Sequence, residues 1–130
     1  MNKNKIILFD LDGTLIDSTD AIVSTFYHSF KELNFNFKGN DKTIKSLIGY
    51  PLDIMYKELG VEESKVWDFV DAYKNRYKII SKEQTTLLKD AYEAIYEASL
   101  FARVSVVTTK TRMYTMPLLE HFNIAQFFFF

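Results

Sequence analysis

Apolar residues run without a break from Ile6 to Phe9 and stop at a carboxylate, Asp10. A short continuous apolar run of this kind predicts a strand buried on both faces, as in a parallel sheet. After Ser18 the pattern changes period. Ile22, Phe26, Phe30 and Leu33 recur every three or four residues and predict an amphipathic helix, with Ser18 as its N-cap. Asn34 to Asn40 reads as a loop. Ile44, Leu47 and Ile48 predict a short helix closed by Gly49. Pro51 opens a further helix whose inner side is Leu52, Met55, Tyr56 and Leu59, ended by Gly60. Val66, Phe69, Val70, Tyr73, Tyr77 and Ile80 form the stripe of a longer helix from Glu62 to about Ile80.

The polar stretch Ser81 to Thr86 reads as a boundary. A helix over Leu88 to Ala98 follows, then a β-branched run, Val104, Val106 and Val107, that predicts a strand ending at Thr108. Thr115 to Asn123 reads as a helix with Thr115 at its cap and Pro117 in its first turn. Phe127 to Phe130 reads as a third strand. The order strand, helical block, helix, strand, helix is an α/β layout with an insertion after the first strand. Its strands are expected to be parallel, with right-handed crossovers.

Composition narrows the possibilities. The 130 residues are 48% hydrophobic and 16% aromatic, enough to build a buried core. Sixteen basic and 17 acidic residues leave a net charge of −1, so there is no nucleic-acid footprint. With no cysteine, disulfides and thiolate metal sites are excluded. The apolar run at Ile6 is too short for a membrane span or a signal peptide. The expectation is a soluble, cytoplasmic protein without a membrane partner.

Candidate chemistry gathers at the strand ends. In open parallel sheets, ligands bind beyond the carboxyl ends of the strands. Asp10 and Asp12 lie just past the end of the first strand, and Thr108 ends the second. One aspartate can attack phosphorus; a carboxylate two residues on can give and take a proton. Gly13 permits a tight turn, and hydroxyls and backbone amides can hold phosphoryl oxygens. A lone pair of aspartates one residue apart is more often a solvated turn. Asp10-Leu11-Asp12-Gly13-Thr14-Leu15 behind four apolar residues is a more specific pattern. Two buried carboxylates there would need a partner, and a metal is the natural one.

The stretch "FDLDGTLIDS" resembles the first motif of the haloacid dehalogenase superfamily, and in particular its phosphoglycolate phosphatase-like branch. "IGYPLDIMYKELG" resembles the substrate-facing part of that branch's helical cap, and "VSVVTTK" its second motif. The resemblance implies a Rossmann-like core at residues 1–16 and 82–130 and a helical cap at 17–81. It makes Asp10 the nucleophile and a Mg²⁺ ligand. Asp12 becomes the general acid/base, with its backbone carbonyl on the metal. Gly13, Thr14, Thr108, Thr109 and Lys110 surround the phosphoryl group, Thr14 to Ser18 form the hinge, and Gly49 faces substrate. Lys74 and Arg76 are weaker candidates for an anionic tail. The implied reaction is Mg²⁺-dependent hydrolysis of a small phosphorylated metabolite, a phosphomonoester, through an aspartyl-phosphate.

The family's third and fourth motifs, a lysine and an acidic pair, have no counterpart before Phe130. The expectation is therefore a core truncated at its C-terminal side, with impaired catalysis and a first strand left as an apolar edge that favours a homodimer or other self-association. A catalytically inactive fragment or ligand-binding module is the alternative. A β-phosphoglucomutase-like phosphoryl transfer is another.

Overall fold

The computed structural model of the chain describes residues 3–108 and 112–129. It divides into two compact units. One comprises Met1–Ser18 with Thr85–Phe130, the other Thr19–Gln84.

In the first unit, β1 (Ile6–Asp10) pairs in parallel with β4 (Arg103–Val107), in a register that sets Ile6 against Arg103 and Asp10 against Val107. This is the parallel α/β arrangement expected of the sequence. A second pairing, antiparallel and two residues long, joins β2 (Ile16–Asp17) to β3 (Thr86–Leu87). It went unread in the sequence because two residues are too few to show a period. Helices α5 (Ala91–Phe101) and α6 (Arg112–His121) complete the unit. Its core is Leu11, Leu15, Ile16, Ile95, Val104, Leu118, Leu119 and Ile124, with Phe128 and three alanines of α5 and its end, and none of these side chains is more than a tenth exposed.

Several expectations are corrected here. β1 is not buried on both faces. Ile7 and Phe9 lean on the core, whereas Ile6 and Leu8 are 57% and 61% exposed. Among the described residues, β1 has one strand neighbour, β4, and its outer face is uncovered. α5 starts at Ala91, later than expected, because Asp90 takes a left-handed conformation and the Leu88 amide donates to the Leu15 carbonyl. α6 begins at Arg112, so Thr115 and Pro117 lie inside it. Burial of Tyr114, Leu118 and Leu119 outweighs the hydrogen bond that the proline removes. At the expected third strand, Ala125–Phe127 form a 3₁₀ turn. Phe128 makes one parallel bridge to Val104, and the Phe129 amide donates to the Val104 carbonyl.

The second unit is helical: α1 (Thr19–Glu32), α2 (Asp41–Lys45), α3 (Leu52–Glu58) and α4 (Val66–Ile80). Asn40 caps α2 by accepting the Thr43 amide at 3.2 Å. Every residue of the stripe predicted for α4 is buried. On α1 the stripe holds through Phe30, while Leu33 lies beyond the helix and is partly exposed. The core is aromatic: the Phe26 ring lies 4.7 Å from that of Tyr56 and 5.1 Å from that of Tyr73. Such pairs contribute beyond the area they bury, about 0.5–1.5 kcal/mol each. Among the described residues, no helix is long and apolar enough to cross a membrane.

Candidate active site

The register of the parallel pair fixes the site. Because Asp10 faces Val107, the carboxyl ends of β1 and β4 lie at one edge of the sheet. Thr108 is the next residue along from Val107, half-buried at that same edge. The side chains of Asp10 and Asp12 differ in setting. Asp10 is exposed, and the Leu11 amide donates to its Oδ1 at 2.9 Å. Asp12 is half-buried, and the Ser18 hydroxyl donates to its Oδ1 at 2.5 Å. The expected pair of buried carboxylates is thus corrected to one open and one anchored. The uncovered outer face of β1 explains the exposure of Asp10, which shares that face with Ile6 and Leu8.

The turn after β1 is held by its own backbone. The Leu11 carbonyl accepts the amides of Thr14, Leu15 and Ile16 at 3.3, 2.9 and 3.2 Å, and the Gly13 amide donates to the Ile16 carbonyl. Gly13 sits at φ +81°, a conformation that glycine adopts without penalty. Leu11, Leu15 and Ile16 point into the core. The sequence alternation therefore splits the loop, with apolar residues fastening it from below while Asp10, Gly13 and Thr14 stay exposed above.

Gly49 lies in the helical unit, at φ +112°, between Ile48 and Tyr50, which form a local bridge. Thr109 and Lys110 fall outside the described residues. The sequence marks Ser18 only as a helix cap and hinge residue. Its bond to Asp12 spans six positions, and no local pattern in the sequence signals it.

The exposed Asp10 carboxylate is a hard oxygen donor of the kind that Mg²⁺ takes. Among the described residues, no cluster of three or more acidic or histidine side chains could hold a metal by itself. Mg²⁺ is commonly held by one or two carboxylates, with water and substrate phosphate filling its octahedron. The donor set fits such a water-rich site.

Comparison with known proteins agrees with this architecture. The haloacid dehalogenase-like hydrolase family matches residues 7–130. A curated relative, pyrophosphatase PpaX of Halalkalibacterium halodurans, is 33% identical over 127 residues, which is 94% of this chain and 56% of the relative. The chain thus spans little more than half the length of that protein. Among solved structures, a haloacid dehalogenase-like hydrolase from Streptococcus pneumoniae superposes with a TM-score of 0.88 at 28% identity, covering 98% of this chain and 60% of that one. A protein described as a predicted phosphoglycolate phosphatase, from Haemophilus somnus, matches with a TM-score of 0.85. It covers 98% of this chain and 61% of that one, and its 22% identity makes it a likeness of fold.

Proposed function

The chain belongs to the haloacid dehalogenase-like hydrolase family, and from that premise we propose that it carries the nucleophile and the proton-transfer group of a phosphate-releasing hydrolase. The observation that carries this reading is the pairing of an open Asp10 with an anchored Asp12 at the carboxyl edge of a parallel sheet. A nucleophile must be reachable; a general acid must be held still.

In this reading, a carboxylate oxygen of Asp10 attacks phosphorus. The bond from phosphorus to the leaving oxygen breaks, and Asp12 gives that oxygen a proton. Water then attacks the phosphorus of the aspartyl-phosphate, Asp12 takes a proton from it, and inorganic phosphate departs as Asp10 is restored. Thr108, Thr109, Lys110 and the Thr14 hydroxyl hold phosphoryl oxygens beside the turn that Gly13 makes. The Asp10 carboxylate and the Asp12 carbonyl would hold Mg²⁺, which when bound supplies positive charge against the phosphoryl oxygens. The substrate is a small phosphorylated molecule. A phosphomonoester is the primary reading, and inorganic pyrophosphate is the second, favoured by the name of the curated relative.

The test is phosphate release by the full chain from p-nitrophenyl phosphate and from pyrophosphate, with Mg²⁺, beside Asp10→Asn. Release that disappears in the variant is expected. Release that survives in it would remove Asp10 as nucleophile, and no release from either substrate by the unaltered chain would count against hydrolysis by these residues alone.

A further inference from the structure

β1 has two edges, and its ladder bonds go to one of them. The Arg103 amide donates to the Lys5 carbonyl at 2.9 Å, in the parallel register that sets Ile6 against Arg103 and Leu8 against Ser105. Successive strand residues turn their N–H and C=O groups to opposite edges. Lys5, Ile7 and Phe9 therefore bond toward β4, while the N–H and C=O groups of Ile6, Leu8 and Asp10 point away from it. Among the described residues, no strand meets that second edge. Open edges are ordinarily blunted by a proline, a bulge or a charge within the strand. None of these interrupts Ile6 to Phe9. The charges stand outside the run, with Lys3 and Lys5 before it and Asp10 and Asp12 after it. Ile6 and Leu8, whose backbone groups face the open edge, also carry the exposed apolar side chains of the strand.

We propose that this edge pairs with the same edge of a second copy of the chain, antiparallel, in a closed twofold dimer. Charge decides the direction. Antiparallel pairing lays the Lys3–Lys5 end of each strand beside the Asp10–Asp12 end of the other, within a Debye length, about 10 Å at 0.1 M salt. Parallel pairing would set like ends together. The apolar pattern decides the register. With the twofold axis at Ile7, Ile6 of each copy stands opposite Leu8 of the other, and Asn4 opposite Asp10. Apolar then meets apolar, polar meets polar, and the bonding groups of Ile6 and Leu8 face each other. A slip of one residue would set groups committed to β4 against groups that face the edge. An axis at Leu8 would place Ile6 opposite a carboxylate.

The strand is thus its own complement, apolar at its centre, basic at one end and acidic at the other, which is what an isologous contact requires. Each copy spends its open edge in the pairing, so assembly stops at two. Edge pairing leaves the outer face of β1 open to water, with the Ile6 and Leu8 side chains meeting their opposites across the new strand pair. One short strand pair is a small interface, in the class of weak and transient associations.

The test is sedimentation velocity of the full chain from the micromolar to the millimolar range, with amide hydrogen exchange at both ends of that range. A monomer–dimer equilibrium is expected. The Ile6 and Leu8 amides should gain protection as the dimer forms, while those of Ile7 and Phe9, bonded to β4, are protected throughout. Leu8→Lys places a charge at an exposed site on the edge, and should keep the fold while weakening association roughly tenfold. Lys5→Glu should also weaken association and reverse its response to salt. Added salt should loosen the parent dimer by screening attraction, and tighten that of the variant by screening repulsion. A chain that stays monomeric up to the millimolar range would overturn the proposal, and so would growth past a dimer. A dimer whose Ile6 and Leu8 amides exchange as fast as in the monomer would overturn it too, because the contact would then lie elsewhere. None of these readouts needs hydrolysis, so the result stands apart from the roles proposed for Asp10 and Asp12.

Discussion

Asp10 stands directly opposite Val107 in the parallel pairing of β1 with β4, so the last residues of two strands separated by more than ninety positions of chain share one edge. Asp10 is exposed and its one described bond is to the adjacent Leu11 amide. Asp10→Asn keeps the shape and can still accept that amide through its carbonyl oxygen. The variant should therefore retain the thermal midpoint of the parent while losing phosphate release and any Mg²⁺-induced shift of that midpoint. A differential scan with and without Mg²⁺ checks both. A midpoint lowered by several degrees would show that the carboxylate has a structural role that its exposure does not suggest.

Two leucines three positions apart in the same segment should respond in opposite ways. Leu8 is 61% exposed on the outer face of β1, and Leu11 is fully buried beneath the site. Leu8→Ala should change stability by no more than about 0.5 kcal/mol, the usual range for surface substitutions. Leu11→Ala should cost about 2–5 kcal/mol, the lost transfer energy plus the cavity left behind. Urea midpoints of the two variants decide it, and equal losses would mean that the outer face of β1 is covered in solution.

That contrast marks how far the sequence could be read. The apolar run Ile6 to Phe9 announces a strand, but it does not say how many layers cover it, because a run without alternation looks the same beside one neighbour as beside two. The helical stripes were legible almost residue by residue: Val66, Phe69, Val70, Tyr73, Tyr77 and Ile80 are all buried on α4. Helix starts were less so. Asp90 in a left-handed conformation delays α5, and packing of Leu118 and Leu119 carries α6 past Pro117; both are tertiary effects. At the candidate site, the strand-end placement of Asp10, Asp12 and Gly13 was legible, since it follows from local pattern. The bond from Ser18 to Asp12 was not, because it depends on how a six-residue loop closes.

Gly13→Ala isolates a backbone effect. At φ +81° a Cβ is disfavoured, yet no atom lies within 4 Å of where it would stand. The expected loss is about 1–2 kcal/mol from conformation alone. If the turn relaxes to avoid it, the bonds from the Gly13 and Thr14 amides to the Ile16 and Leu11 carbonyls are disturbed, the Thr14 side chain moves, and phosphate binding weakens as well. Equilibrium unfolding and phosphate titration by calorimetry measure the two effects separately. An alanine variant as stable as the parent would mean that the turn has another conformation of equal energy.

Tyr56 offers a pH-dependent test in the helical unit. Its ring is fully buried against Phe26, Phe30 and Phe69, and its hydroxyl meets the Ser29 Oγ at 2.7 Å. Ser29 already gives its proton to the Phe26 carbonyl, so Tyr56 is the donor to Ser29. Burial holds the Tyr56 phenol well above the ordinary value of 10.0. A group whose folded pKa is raised contributes stability in full below its unfolded pKa and loses it as pH rises above that value. Stability should therefore be insensitive to Tyr56 up to about pH 10, then fall by as much as about 1.4 kcal/mol per pH unit as the unfolded phenol ionises. Tyr56→Phe removes that limb. At pH 7 the variant should be less stable by about 1 kcal/mol or less, because Ser29 keeps its bond to Phe26 and no buried donor is stranded. Above pH 10 the difference should shrink and then reverse. Urea midpoints of the parent and Tyr56→Phe at pH 7 and pH 11 show this directly; a gap that stays constant between the two pH values would place the Tyr56 hydroxyl in contact with solvent.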